Sequence, residues 1–533
     1  MMHPVLGMVT ALLAVWIAAR PTVAQEQKTD RDKSPVFKSS KPPVLLPRIP
    51  PSDHLHQIWQ TFLISRKAGA GDALAQHELG IRYFLGIGVE ADSSRALHWM
   101  RKAAEQGLTE ARFNAGILLY NGWGGEWNPF EAFDHFQACA ARSMVDAEFF
   151  LSLFYLDNLV VQANVDTARA LATRAAERGK EAARELVEQI DEYRRQQQEA
   201  TESARRDSAG RPAGTPRGNP LQSGRFVMPV VVELDGVDQD SAGAGETKGM
   251  AVLLRTALGG ADPQLRQALG FSRMAEETTD SSTLAAVLSA ASAGSPEALT
   301  FLGRGAERGA GGPRDRILAA SYYIRAIRMD SQRSARLLWA MLQQRGFIEE
   351  LKERARAGDP DALFAWAGLV GLGLDGFLVQ AGAPITEEQA LDFLRRASAV
   401  PHLPSMIELG LIYYAGRWTE QDRRRARDLW RQAEELGSRE AGVRIAVTEV
   451  TGDGLLSDTT IALLDQAIEQ GSVLAEVALA YCYERGRGVE ARFEEALRLY
   501  RAGYRRGSQD AYRALRRLHD ALRPPEDRFQ IPE

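Results

Sequence analysis

Three stretches of the chain hold the residue types that metal or nucleotide chemistry needs. His77-Glu78 begins an HExxH pattern, in which two histidines one helical turn apart hold zinc and the glutamate activates water, but the fifth position is Ile81 and the second ligand is missing. Asp53, His54 and His56 offer carboxylate and imidazole donors close together, and they are read as solvated residues of a polar leader. Gly371-Leu372-Gly373-Leu374-Asp375-Gly376 fits GxGxxG, yet it follows a helical pattern, whereas a dinucleotide pyrophosphate needs that loop between a strand and a helix. There is no GxSxG elbow and no P-loop. Carboxylates are plentiful, but nothing pairs two of them in a shared buried site as glycoside hydrolysis requires. No catalytic, cofactor or metal-binding residue is assigned, and the chain is expected not to be an enzyme.

What remains is recognition, and its setting follows from bulk properties. The 533 residues are 45% hydrophobic and 25% charged, the balance of a folded globular protein or an extended array. With 65 basic and 70 acidic residues the net charge is −5, so no positive field recommends nucleic acid. Two cysteines exclude a disulfide-dense scaffold or a four-cysteine zinc site; Cys139 and Cys482 are expected as buried unpaired thiols. Val5 to Ala19 is an uncharged apolar run of signal-peptide length, followed by Thr22-Val23-Ala24 with small residues at the positions a signal peptidase reads. Export with cleavage after Ala24 is expected, an uncleaved anchor being the alternative. No Asn-x-Ser/Thr sequon occurs, which fits a bacterial periplasm better than a secretory lumen.

The dominant signal is a repeat of period 36. Gly71, Gly107, Ser143 and Gly179 open successive units, and Ala75, Ala111, Ala147 and Ala183 stand four places on. A second series opens at Gly294, Asp330, Gly358, Pro401, Gly437, Gly471 and Gly507, with Ala or Ser at the fifth position each time. Within the first unit Ala75, Leu79 and Tyr83 make one helical stripe and Gly86-Ile87-Gly88 stops it. Asp92 to Ser94 can then cap a second helix, whose stripe is Ala96, Trp99 and Ala103. Small residues at the crossing let two helices approach closely. A single hairpin cannot bury both faces, so neighbours must stack; the expectation is an all-α fold, a right-handed α/α solenoid of helix hairpins in two arrays.

The stretch GDALAQHELGIRYFLGIGVEADSSRALHWMRKAAEQG at Gly71–Gly107 resembles the Sel1-like repeat, a tetratricopeptide relative, and Gly471–Arg506 matches at Ala475, Leu479, Gly486, Gly488, Val489, Ala496 and Leu497. The resemblance covers roughly 55–190 and 285–522 and implies a scaffold or adaptor that holds protein complexes, often in the bacterial envelope. It departs at Ser143–Arg178, where Asn158 and Val160 replace loop glycines, and at Asp330–Ala357, which is short; altered loops are expected at both. Cysteine-rich members of the family are linked to penicillin binding, but no lysine here has a serine three residues before it, and that activity is not carried over.

The organisation read from these features is a signal peptide at 1–24, a Pro/Lys-rich leader at 25–53, and a first array with a charged capping helix at 54–207. A linker with a β-like segment (226–234) follows at 208–249, then a second array at 250–523 and a tail at 524–533. The first helix of each hairpin should line a concave groove. Its residues off the core stripe are the candidate partner-binding set: Glu78 and Arg82, Asn114 and Asn121, and Phe150 and Phe154. Trp123 and Trp127, in the loop NGWGGEWNP, join them as interface-anchor types, with packing on the adjacent repeat as the equal alternative. Arg423, Arg424, Arg425 and Arg427 form a basic run read as a solvated face, or else as a site for an acidic partner. The function expected is an exported scaffold binding partner proteins in envelope complex assembly or regulation, the partners being membrane-protein ectodomains or polysaccharide machinery, with no nucleic acid and no membrane insertion after cleavage. The alternatives are a polysaccharide- or peptidoglycan-binding protein or hydrolase with its site in the groove, and a regulator that sequesters a membrane-protein ectodomain.

Overall fold

The computed structural model describes residues 54–208 and 282–532, apart from 126, 310–312 and 453. The signal peptide, the leader, the 226–234 segment and Asp53 lie outside the described residues. The described chain is helical, with no strand, and divides into two compact units: residues up to Gln196 together with Arg513–Glu533, and Gln197–Tyr512.

In the first unit α1 (His54–Gly69) precedes three hairpins, α2 (Ala73–Leu85) with α3 (Ser93–Glu105), α4 (Thr109–Asn121) with α5 (Pro129–Ala141), and α6 (Val145–Asp157) with α7 (Val165–Glu177), closed by α8 (Glu181–Ser208). The boundaries have local causes. Asp72 and Asp92 cap α2 and α3 by accepting the N–H of Ala75 and Arg95. Gly86 ends α2 in the left-handed region at φ 71°, sending its N–H back to Arg82 O. In the third hairpin Asn158 takes that conformation at φ 54°, and its Oδ1 accepts the Ala163 N–H, so the loop survives without its glycine. Ala111, Ala147 and Ala183 are wholly buried at equivalent crossings.

The second unit runs α9 (Ser282–Ser292), α10 (Pro296–Arg308), α11 (Arg316–Ile327), α12 (Gln332–Leu342), α13 (Phe347–Arg356), α14 (Pro360–Gly371), α15 (Asp375–Gln380), α16 (Glu387–Ser398), α17 (Leu403–Ala415), α18 (Arg423–Glu435), α19 (Arg439–Val450), α20 (Asp458–Glu469), α21 (Val473–Arg485) and α22 (Phe493–Arg505). Helix α23 (Gln509–Leu522) starts in this unit, and its residues from Arg513 on, with a 3-10 turn at Asp527–Phe529, belong to the first unit. The short unit Asp330–Ala357 keeps both helices, α12 and α13, and shortens the connection to residues 343–346. The GxGxxG stretch ends α14 and enters α15, so no strand precedes it.

Tight helix crossings depend on missing side chains. Gly410 on α17 lies against the indole of Trp430 on α18, one of the largest fully buried side chains, and a Cβ there would run into the ring. Gly410→Ala is therefore expected to cost about 1–3 kcal/mol by overpacking. Thermal melts of the variant would read this, and an unshifted transition would show that the crossing can relax.

Candidate functional site

The candidate residues of the first unit are placed by α2, α4 and α6, each held between its return helix and its neighbours. Nearly every position of α4 from Ala111 to Asn121 is buried. A helix enclosed on all sides has little free face, and this decides where its polar residues go.

Arg82 is buried and bridges Glu78 at 2.9 Å; its Nη1 also donates to Thr61 Oγ1 on α1. The Thr61 hydroxyl lies 2.9 Å from Ile87 O in the α2–α3 loop. Arg82 thus fastens α1 to the first hairpin, while Glu78 stays partly exposed. Asn114 Nδ2 meets His77 Nε2 at 2.8 Å, and burial lowers the His77 pKa to about 4, which keeps the ring neutral. Asn121 turns back to Ile117 O on its own helix. Phe150 stacks on Phe136 with ring centroids 5.2 Å apart, and Phe154 meets Tyr120, Phe133 and Phe136.

Trp123 packs on Phe84 of the preceding hairpin at 5.3 Å, the alternative left open for it from sequence. Trp127 donates Nε1–H to Tyr120 O and meets the edge of His519 on α23 at 4.8 Å. The structure therefore joins Phe150 and Phe154 to one aromatic core and ties Glu78 to Arg82. It spends the hydrogen-bonding capacity of Arg82, Asn114 and Asn121 largely on their own neighbours.

The remaining chemistry is similarly internal. No group of three or more histidine, cysteine, aspartate or glutamate side chains able to hold a metal occurs among the described residues. Both cysteines are free and buried, and burial pushes each thiol pKa up to about 11. Asp361, His402 and Ser405 lie in triad order: His402 Nε2 is 3.3 Å from Asp361 Oδ1, and its Nδ1 is 2.8 Å from Ser405 Oγ. Ser405 is wholly buried, however, and His402 is the N-cap of α17, so the arrangement caps a helix and offers no accessible nucleophile. In the basic run, Arg423 and Arg425 lie over the rings of Tyr414 and Tyr413, while the backbone of Arg425 is capped by Asp422.

Two features lie outside what the 36-residue period marks. On α1 the side chains of Ile58, Trp59, Phe62 and Leu63 project outward, Trp59 being 59% and Phe62 50% exposed, with their rings stacked at 5.6 Å. The i, i+1, i+4, i+5 spacing of this stripe is legible in sequence, but α1 precedes the unit that opens at Gly71. At the end of α17 the loop Gly416-Arg417-Trp418 puts a tryptophan at φ 62° in the register of the second loop glycine, with Arg417 over its ring. A left-handed non-glycine residue costs about 1–2 kcal/mol. Departure from Gly-x-Gly was the signal available for it.

Stacked helix hairpins, preceded by a helix with an exposed apolar stripe, define an α-helical repeat solenoid. The model of the Sel1 repeat matches residues 73–108, 109–143, 145–180, 296–331, 403–438 and 473–508, so the chain carries six Sel1 repeats. Members of this family generally act as protein–protein interaction scaffolds. The chain is 31% identical over 111 residues to a sel1-like repeat-containing protein of Acanthamoeba polyphaga mimivirus, a match covering 21% of this chain and 20% of that protein. The chain thus spans about a fifth of the length of the curated relative it matches. Among solved structures it is similar to a protective antigen of uropathogenic Escherichia coli displaying an SLR fold (20% identity, 87% of this chain and 91% of that one, TM-score 0.30). It is also similar to a Sel1 repeat protein from Oxalobacter formigenes (28% identity, 24% of this chain and 98% of that one, TM-score 0.23).

Proposed function

We propose that the protein is an exported, non-catalytic scaffold that binds partner proteins during assembly or regulation of bacterial envelope complexes, and that α1 is its principal contact. The observation carrying this reading is the outward stripe Ile58, Trp59, Phe62 and Leu63. A solenoid end needs a polar outer face to stay soluble. The other end of this array has one, since Asp191 of α8 pairs with Arg169 and Arg194 of α8 pairs with Asp166. An apolar end invites a partner that continues the stack with an apolar helix or hairpin. Glu78 supplies a partly exposed carboxylate on the adjoining helix, and Arg82 acts by holding α1 in place. Export rests on the Val5–Ala19 run and the small residues before Gln25; no described helix is long and apolar enough to cross a membrane.

The test is mild crosslinking and capture of the chain from a periplasmic fraction, comparing wild type with Trp59→Glu/Phe62→Glu. Both residues are surface-exposed, so the variant should melt as wild type does while losing the captured protein. Equal capture by both forms, or recovery of glycan without protein, would refute the assignment. Absence of the chain from the periplasmic fraction would remove its exported half.

A further inference from the structure

The C-terminal segment does not continue the second array. Beyond α23 the helix is broken by Pro524-Pro525, and the chain lies on the first unit. Phe529 is 1% exposed, its ring edge-on to Phe130 at 5.1 Å and to Phe133 at 6.0 Å on α5. Arg523 donates to Leu159 O and Val160 O at 2.8 and 3.1 Å and to Phe529 O at 2.6 Å. Arg516 donates to Asn158 O, and Arg528 pairs with Asp134 at 2.7 Å.

These contacts have the chemistry of peptide recognition. The acceptors are main-chain carbonyls of the one loop in the first unit that lost its Gly-x-Gly, where Asn158 and Val160 stand in place of glycine. A guanidinium satisfies two such carbonyls at once through its fork of donors. Six residues further on, an aromatic ring fills a pocket of phenylalanines, and the arginine beside it meets a carboxylate. The prolines hold the connecting stretch extended, so that ordering it costs less conformational entropy. None of this burial propagates the repeat, because the segment crosses α5 and the α6–α7 loop as a ligand would.

We infer that the trough between Phe130, Phe133, Asp134 and the carbonyls of Asn158–Val160 is a binding site for extended segments of other proteins that carry an arginine and, five and six residues later, an Arg-Phe pair, and that Arg523–Phe529 is its resident occupant. An attached ligand acts at an effective concentration of about millimolar, so a free partner must outcompete it. This surface is separate from the outward stripe of α1, and either can fail without the other.

The experiment uses the full chain. A fluorescent peptide of residues 521–532 is titrated against wild type and against Arg523→Ala/Phe529→Ala, whose own occupant is weakened. The double variant should bind the peptide at least about tenfold more tightly than wild type, and the peptide carrying Phe529→Ala should bind neither. A folded variant that ignores the peptide overturns the inference. Hydrogen exchange on the wild type gives a reading independent of that variant's folding. The Phe529 and Gln530 amides, bonded to Glu526 O and Asp527 O, should exchange about a hundredfold faster than amides of α5 through local opening. Exchange no faster than that of α5 would make the segment a permanent part of the core and would equally overturn it.

Discussion

Arg506→Ala is expected to lower the stability of the second unit by about 3–5 kcal/mol at neutral pH, the cost of removing one member of a buried ionic cluster. Arg506 sits between Glu297 on α10 and Glu476 on α21, at 2.6 and 2.9 Å, and its Nη2 also donates to Gly471 O. Its side chain is 16% exposed and those of the glutamates 20% and 9%. The cluster joins the first hairpin of this unit to its last, and nearby Arg325 on α11 bridges Glu440 on α19 at 3.1 Å, so the array closes on itself through buried charge.

Burial alone would raise the Glu297 pKa, but hydrogen bonding and charge from Arg506 bring it below the usual glutamate value. For Glu476 burial prevails over Arg506 and the pKa is raised; its Oε2 has no hydrogen-bond partner. With the guanidinium removed, burial and mutual repulsion push both carboxyls up. A carboxyl whose folded pKa lies above its unfolded value makes the folded state the stronger proton binder, so stability falls as pH rises through that interval. The variant should therefore regain part of its loss between about pH 7 and about pH 5, in the opposite direction to ordinary acid denaturation. Differential scanning calorimetry at the two pH values checks both parts. A fall on the order of 10 °C at neutral pH is expected, and a melting point that does not climb on acidification would show that the carboxylates reach solvent.

The contrast between this cluster and the repeats shows what a sequence can reveal of such a fold. The 36-residue period, the Gly86-type stops, the Asp92-type caps and the Ala111-type crossings are all local or nearest-neighbour features, and every unit restates them. They were legible for that reason, and the all-α solenoid followed. The pairing of Glu297 with Arg506, 209 positions apart, depends on how many small rotations accumulate between hairpins, and no spacing records that.

The partner-binding set met a related obstacle. The period separates a core stripe from the rest of a helix, but an inner helix of a stack is enclosed on more than that stripe. Asn114 off the stripe therefore found His77, and Phe150 found Phe136. The outward rings of α1 and the left-handed Trp418 were visible as residues, yet nothing in the period assigned them a side.

Trp127→Ala is expected to cost the first unit about 3–5 kcal/mol, as loss of a large buried aromatic does. The ring is only 9% exposed, closed over by His519, and its N–H is engaged by Tyr120 O. A loop tryptophan held ready for a partner would instead be dispensable for melting, and this was the sequence-based expectation for an interface anchor. Trp127→Phe separates the two contributions: it keeps most of the packing and surrenders the hydrogen bond, for a loss of about 1 kcal/mol. Trp59→Ala on the outward face of α1 supplies the contrast, since surface changes away from special features stay within about 0.5 kcal/mol. Urea unfolding of the three variants, followed by far-ultraviolet circular dichroism, orders them. A Trp127→Ala midpoint equal to that of Trp59→Ala would return Trp127 to the set of partner-binding residues and detach His519 from the first unit.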